Sequence, residues 1–120
     1  MKSLSVVLYH NDPGTAQTLV AGLSQHFDSV YRAQTYAEVR PAVARYRAQA
    51  LVLDLETSGS SDVEHLHHEF PSLCIVGTHR LADDKLWAEA MSLGASDICE
   101  PRKDQVVHSL LNRRAQTAAA

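Results

Sequence analysis

Ala50-Leu51-Val52-Leu53-Asp54 is a run of four apolar residues that ends on a carboxylate. An uninterrupted apolar run of this length fits a strand buried on both faces, the kind found inside parallel sheets. An acid at the carboxyl end of such a strand sits at the mouth of an open α/β sheet, where these sheets bind ligands and carry out chemistry. A second run, Leu73-Cys74-Ile75-Val76-Gly77-Thr78, ends in the same way on a hydroxyl.

Toward the N-terminus, Val6-Val7-Leu8-Tyr9 reads as another buried strand, followed by the turn His10-Asn11-Asp12-Pro13-Gly14. Ala16, Leu19, Val20, Leu23 and Phe27 then recur at helical spacing, and Val30-Tyr31-Arg32-Ala33 reads as a second strand. Thr35 and Glu38 have capping-box spacing ahead of a helix that buries Val39, Val43 and Tyr46. Pro41 lies inside that pattern and should kink the helix or move its start. Beyond Asp54 comes the loop Thr57-Ser58-Gly59-Ser60, then Ser61 and Glu64 as a second capping box, with Val63, Leu66 and Phe70 inward. After Thr78, a helix turns Leu86, Ala90 and Leu93 inward and stops at Gly94, in the preferred C-terminal glycine position. Asp97-Ile98-Cys99-Glu100 reads as a short fifth strand, and Asp104 as the cap of a last helix carrying Val106, Val107, Leu110 and Leu111.

Strand and helix thus alternate five times, the pattern of a parallel sheet covered by helices on both faces. The expected fold is α/β, flavodoxin-like, with five strands in the order 2-1-3-4-5. In that order the first and third strands flank the switch point. Their ends carry His10, Asn11 and Asp12 on one side and Asp54 on the other, so a crevice is expected between them.

A chain of 120 residues reads as one domain, residues 1–114, with 115–120 as a tail or the start of a linker. Arg113 and Arg114 then read as favourable charge near a helix end. The net charge of −3 gives no electrostatic reason to expect direct nucleic-acid or membrane binding. No apolar stretch approaches the roughly 20 residues of a membrane span. Cys74 and Cys99 both lie in apolar runs and read as buried, reduced thiols of a cytoplasmic protein.

With those residues placed, the chain resembles the receiver domain of bacterial response regulators over about residues 4–114. Leu51-Val52-Leu53-Asp54 resembles the strand bearing the phosphoacceptor aspartate, and Ile75-Val76-Gly77-Thr78 the strand bearing the switch hydroxyl. Leu93-Gly94-Ala95-Ser96-Asp97 is similar to the turn before the fifth strand, and Asp12-Pro13 to the end of the acidic turn after the first. The departures are as specific. Where the family has two adjacent metal-holding acids, this chain has His10 and Asn11. Mg²⁺ asks for hard oxygen ligands in octahedral geometry, which an imidazole does not supply. Asp12 falls one position late. Where the family has a lysine before a proline, Glu100 precedes Pro101, or Pro101 itself takes the lysine position; Lys103 starts the last helix. Ile98 stands where an aromatic residue swings inward on activation. Phosphoryl transfer rests on positioning and charge neutralisation. One lost donor costs roughly 3 kcal/mol in comparable sites. A hundredfold or larger rate loss is therefore expected, on the order set by the combined departures.

The resemblance implies a signal-input and protein-interaction module of a bacterial regulator, with transcription among its outputs. It is not expected to be an enzyme, and phosphorylation at Asp54 should be weak or absent. Its cofactor is none, or Mg²⁺ held weakly. Its implied partners are proteins: a histidine kinase, its own output domain, and a second copy through the fourth helix, fifth strand and fifth helix. Trp87 and Met91 offer an exposed surface on that fourth helix, or else cover the core edge. Two alternatives stay open. One is a working phosphorelay receiver with a rearranged metal site of Asp12, Asp54 and Glu56. The other is a small hydrolase or metal-binding protein. Asp54-Leu55-Glu56-Thr57 resembles the nucleophile loop of haloacid-dehalogenase phosphatases, but on the third strand rather than the first. His65, His67 and His68 cluster on the third helix, where a solvated face is the simpler reading than a zinc site. His10 is expected either to hydrogen-bond Asp54 or to fill the vacated metal position.

Overall fold

A computed structural model describes the backbone of residues 4–119 and the side chains of residues 4–112. The elements are β1 (Ser5–Tyr9), α1 (Pro13–Ser24), β2 (Ser29–Arg32), α2 (Val39–Tyr46), β3 (Ala50–Asp54), α3 (Ser60–Glu69), β4 (Cys74–Thr78), α4 (Asp84–Ser92), β5 (Asp97–Cys99) and α5 (Lys103–Ala119). A 3₁₀ turn, Tyr36–Glu38, precedes α2. All five strands pair in parallel in the order β2-β1-β3-β4-β5. The alternation of apolar runs and amphipathic helices leads to this flavodoxin-like sheet because each strand must be covered on both faces.

Side chains alternate across the sheet and divide the core in two. Val7, Tyr9, Leu51, Leu53 and Ile75 face α2, α3 and α4, where Val39, Val43, Val63, Leu66 and Ala90 meet them. Val6, Leu8, Ala50, Val52 and Val76 face α1 and α5, against Leu19, Leu23, Val106 and Leu110. β3 is buried along its whole length, as its composition requires. Truncating one of its leucines to alanine would cost about 2–5 kcal/mol.

Several local expectations are corrected. Thr35 and Glu38 do touch, but not as a reciprocal box: the Thr35 hydroxyl donates to Glu38, whose other oxygen accepts from the Gln34 N–H. Pro41 is tolerated because the helix begins at Val39 and leaves it in the first turn. Ser61 and Glu64 do not cap α3. Gly59 is the N-cap, and Asp62 reaches back to accept from its N–H at 3.0 Å. Asp104 does not cap α5, which begins one residue earlier at Lys103; Gln105 instead accepts from the Glu100 N–H. Cys74 and Cys99 are half-buried rather than fully enclosed, and neither forms a disulfide. The side chains of Arg113, Arg114 and the 115–120 segment lie outside the described residues, while the backbone of α5 runs on to Ala119. Among the described residues no helix is long and apolar enough to cross a membrane.

Candidate functional site

The strand ends bring the predicted crevice residues together. Asp54 pairs in register with Thr78, and Thr78 with Cys99. Alternation puts all three on the α1/α5 face of the sheet, in one row across β3, β4 and β5. The turn after β1 meets this row from the other side of the switch point.

Asp54 is 2% exposed, and both of its carboxylate oxygens accept hydrogen bonds. Oδ1 accepts from the Glu56 N–H at 2.9 Å. Oδ2 accepts from the Asn11 N–H at 3.1 Å and from the Thr57 hydroxyl at 2.8 Å. Asn11 therefore contributes its backbone to the site, and its side chain is exposed. The sequence placed Thr57 in this loop but did not assign it to Asp54, although a hydroxyl three residues after an aspartate in a loop is a common local hydrogen-bonding pattern.

His10 does not hydrogen-bond Asp54. Its Nδ1 stands 3.9 Å from Asp54 Oδ2 and instead accepts from the Asp12 N–H at 3.0 Å. That bond assigns the ring proton to Nε2, which is buried without a hydrogen-bond partner in the protein. Thr78 is fully buried, and its Oγ1 likewise has no partner. Ile98 is buried on the opposite face, where it and Leu55 crowd over Gly77: a methyl at Gly77 would stand 2.8 Å from Ile98 Cδ1 and 2.5 Å from Leu55 Cδ1.

The rearranged metal set is not gathered. Asp12 is the N-cap of α1: its Oδ2 accepts from the Thr15 N–H at 2.9 Å and the Thr15 hydroxyl at 2.7 Å, and these bonds hold its carboxyl below the usual range. Glu56 is turned to Arg80, whose Nε donates to Oε1 at 2.8 Å and whose N–H donates to Oε2 at 3.2 Å. The Arg80 guanidinium lowers the Glu56 pKa in turn. Among the described residues no three His, Cys, Asp or Glu side chains stand where one ion could be shared, and this includes His65, His67 and His68, which are all exposed. A divalent cation on Asp54 would find Asp12 held by Thr15 and Glu56 held by Arg80, with an imidazole and an amide where further carboxylates would serve it. The donor set does not fit Mg²⁺.

Among the described residues no lysine pairs with Asp54 either. The Lys103 stem lies along α1, where a methyl at Gly22 would meet its Cβ at 2.9 Å. Pro101 and Lys103 line an open cleft with Asp12, Gly14, Thr15 and Thr18, outside which Asp54 lies. Glu100 is exposed at the start of this turn. On α4, Trp87 is exposed as expected, at 45%, whereas Met91 is partly buried against the α2/α3/α4 core. The two residues are thus not one exposed surface.

No family model and no curated protein matches this chain. Solved structures do. The signal receiver domain of a DNA-binding response regulator from Colwellia psychrerythraea superposes with a TM-score of 0.81 at 14% identity, over 94% of this chain and 98% of that one. A response regulator from Thermotoga maritima gives 0.76 at 18% identity, over 99% and 100% of the two chains. An orphan response regulator of H. pylori gives 0.77 at 14% identity, over 88% and 92%. With strand order, crevice and neighbours in agreement, the chain has the fold of a response-regulator receiver domain.

Proposed function

We propose that this chain is a receiver-like signalling module that acts through protein contacts, in which Asp54 anchors loops rather than accepting phosphate. The observation that carries the reading is the occupied carboxylate. Asp54 is 2% exposed, takes three hydrogen bonds from Asn11, Glu56 and Thr57, and among the described residues pairs with no lysine. In-line attack on a phosphodonor needs an open carboxylate oxygen, a metal to gather the phosphoryl oxygens and a cation to neutralise them. This chain offers its donors to the carboxylate itself. In this role it is not an enzyme. Its partners are proteins, the output portion of a regulator among them, and transcription is one output consistent with the Colwellia neighbour's description.

One observation favours a second reading. The buried Thr78 hydroxyl, beside Asp54 in register, has no partner, and such groups are often kept for an occupied state of a site. A receiver that takes phosphate on Asp54 after the β3–α3 loop rearranges would use it.

One experiment decides. The protein is incubated with Mg²⁺ and acetyl phosphate, and in parallel with beryllofluoride, then read by intact mass and by amide chemical shifts. No mass gain and unmoved Asp54-loop resonances are the expected result. A stable phosphoryl adduct that is lost in Asp54→Asn, or a beryllofluoride-induced shift at Thr78, would replace the first reading with the second.

A further inference from the structure

Charge is distributed unevenly over the helices of one face. α2 and its C-cap carry Arg40, Arg45 and Arg47 and no acid. α4 and its N-cap carry Asp83, Asp84 and Glu89 against a single base, Lys85. α2 packs on β1 toward the β2 end of the sheet, its Tyr46 stacked on Tyr31 of β2, and α4 packs on β5, both on the same side with α3 between them. The two segments therefore lie at opposite ends of the molecule and cannot neutralise each other within one copy.

Each end also exposes aromatic surface. At the basic end, Tyr46 is 37% exposed and stacks flat on Tyr31, ring centroids 3.8 Å apart, with the Arg45 guanidinium 5.6 Å from the Tyr46 centroid. Arg40 is already paired with Glu69, which leaves Arg45 and Arg47 as the exposed cations beside Tyr46. Arg47 stands at φ 50°, ψ 50°, the left-handed position that closes α2 and that favours glycine. A bulky cationic residue there carries a backbone cost that glycine would remove, which points to use of its side chain. At the acidic end, Trp87 is exposed on α4 one turn from Asp83 and Asp84, and Leu81 is 76% exposed just before them. A tyrosine–arginine face opposite a tryptophan–aspartate face has the composition of an interface hot spot and its partner.

We propose that the chain assembles head to tail, the Arg45–Tyr46–Arg47 face of one copy docking on the Asp83–Asp84–Trp87 face of the next. The occupant is a second copy because the complementary charge is in this same sequence. A symmetric contact through α4 would set acid against acid, so the fourth-helix face fits the opposite end of a neighbour better than it fits itself. A contact between two different patches leaves one of each free, and so propagates unless the rotation closes a ring. The inference does not depend on whether Asp54 accepts phosphate.

Sedimentation velocity on the whole chain tests it. The weight-average mass should rise with concentration past that of a dimer and fall toward the 13.2 kDa monomer in high salt. Two variants each remove one face without reversing its charge: Arg45→Gln with Arg47→Gly, and Asp84→Asn with Trp87→Ala. Both leave the Asp83 cap of α4 in place, and circular dichroism checks that both fold. Each alone should be monomeric, and an equimolar mixture should form a one-to-one dimer, since each keeps the face the other lacks. Failure of one variant to fold leaves the salt and concentration dependence of the unmodified chain as the deciding measurement. A chain that stays monomeric, whatever acidic peptide or nucleic acid its basic end binds, overturns the proposal. So does a closed dimer that either variant preserves, or a mixture that does not associate.

Discussion

Asp54 and Thr78 sit side by side on adjacent strands, yet their energetic roles differ. Asp54 accepts three hydrogen bonds while fully buried, and a hydrogen bond to a charged group is worth more than a neutral one. Asp54→Ala should therefore lower stability by about 2 kcal/mol, read as a reduced urea midpoint with an unchanged slope. Carboxylates held in place only for reactivity behave oppositely, and their removal is neutral or stabilising. Thr78 is the converse case. Its Oγ1 is buried with no partner, so its desolvation is uncompensated. Thr78→Val keeps the shape and should raise stability by about 1 kcal/mol in the same titration. A loss instead would mean that the hydroxyl has a partner in solution. The positions of both residues were legible in the sequence, because an apolar run that ends on a polar residue fixes where that residue emerges. Their partners were not. Thr57 is local and followed a readable spacing, but the Arg80 that captures Glu56 comes from another strand's loop 24 residues away. Only the β3–β4 register brings those two positions, each two residues past the paired Asp54 and Thr78, across from one another.

At the scale of elements, strand positions followed from the apolar runs, whereas helix starts did not follow from capping motifs. Thr35, Ser61 and Asp104 each match a cap pattern, but each is displaced by a neighbour: the 3₁₀ turn before α2, the Gly59–Asp62 contact before α3, and the earlier start of α5. Capping patterns carry about 1 kcal/mol, too little to override where the sheet needs the helix to begin. Gly94 is the helix-end signal that held, and for two reasons at once. Its φ is +114°, and an added Cβ would run into the ring of His67 from α3. The glycine thus ends α4 and lets α3 approach. It also gives His67 a packing role that the histidine cluster alone does not suggest. Gly94→Ala should cost about 2 kcal/mol, from backbone strain and overpacking together. Gly94→Ala combined with His67→Ala should recover the ring's share of the overpacking, while the His67 Cβ, also closer than van der Waals contact to the added methyl, stays in place; the paired urea titrations measure that share. Full recovery would mean that neither the backbone conformation nor the remaining His67 Cβ contact carries a cost.

For the whole molecule, the pH dependence of stability follows from two groups whose protonated forms the fold prefers. Burial pushes the Cys99 thiol up to about 12, with the carboxylates of Asp97, Glu100 and Asp104 adding to it. Burial also pushes Tyr36 up to about 12, aided by its hydrogen bond to the Asp62 carboxylate. In the unfolded chain a cysteine ionises near pH 8.5 and a tyrosine near pH 10, roughly. Between those values and about 12, the unfolded state has lost protons that the native state still holds, so stability falls as pH rises across that window. Below it, both contributions are fully present. Urea midpoints measured from neutral pH upward should therefore decline first from about pH 8.5, through Cys99, and more steeply from about pH 10, where Tyr36 joins. Cys99→Ser removes the first phase and Tyr36→Phe the second, because neither replacement titrates in this range. The same raised thiol should react slowly with iodoacetamide at neutral pH, at least about tenfold below an unfolded cysteine, since only the thiolate attacks. An alkaline decline left unchanged in the double variant would mean that burial around β5 and the 3₁₀ turn does not hold these protons, and that the row of strand ends is more open to water than the Asp54 contacts imply.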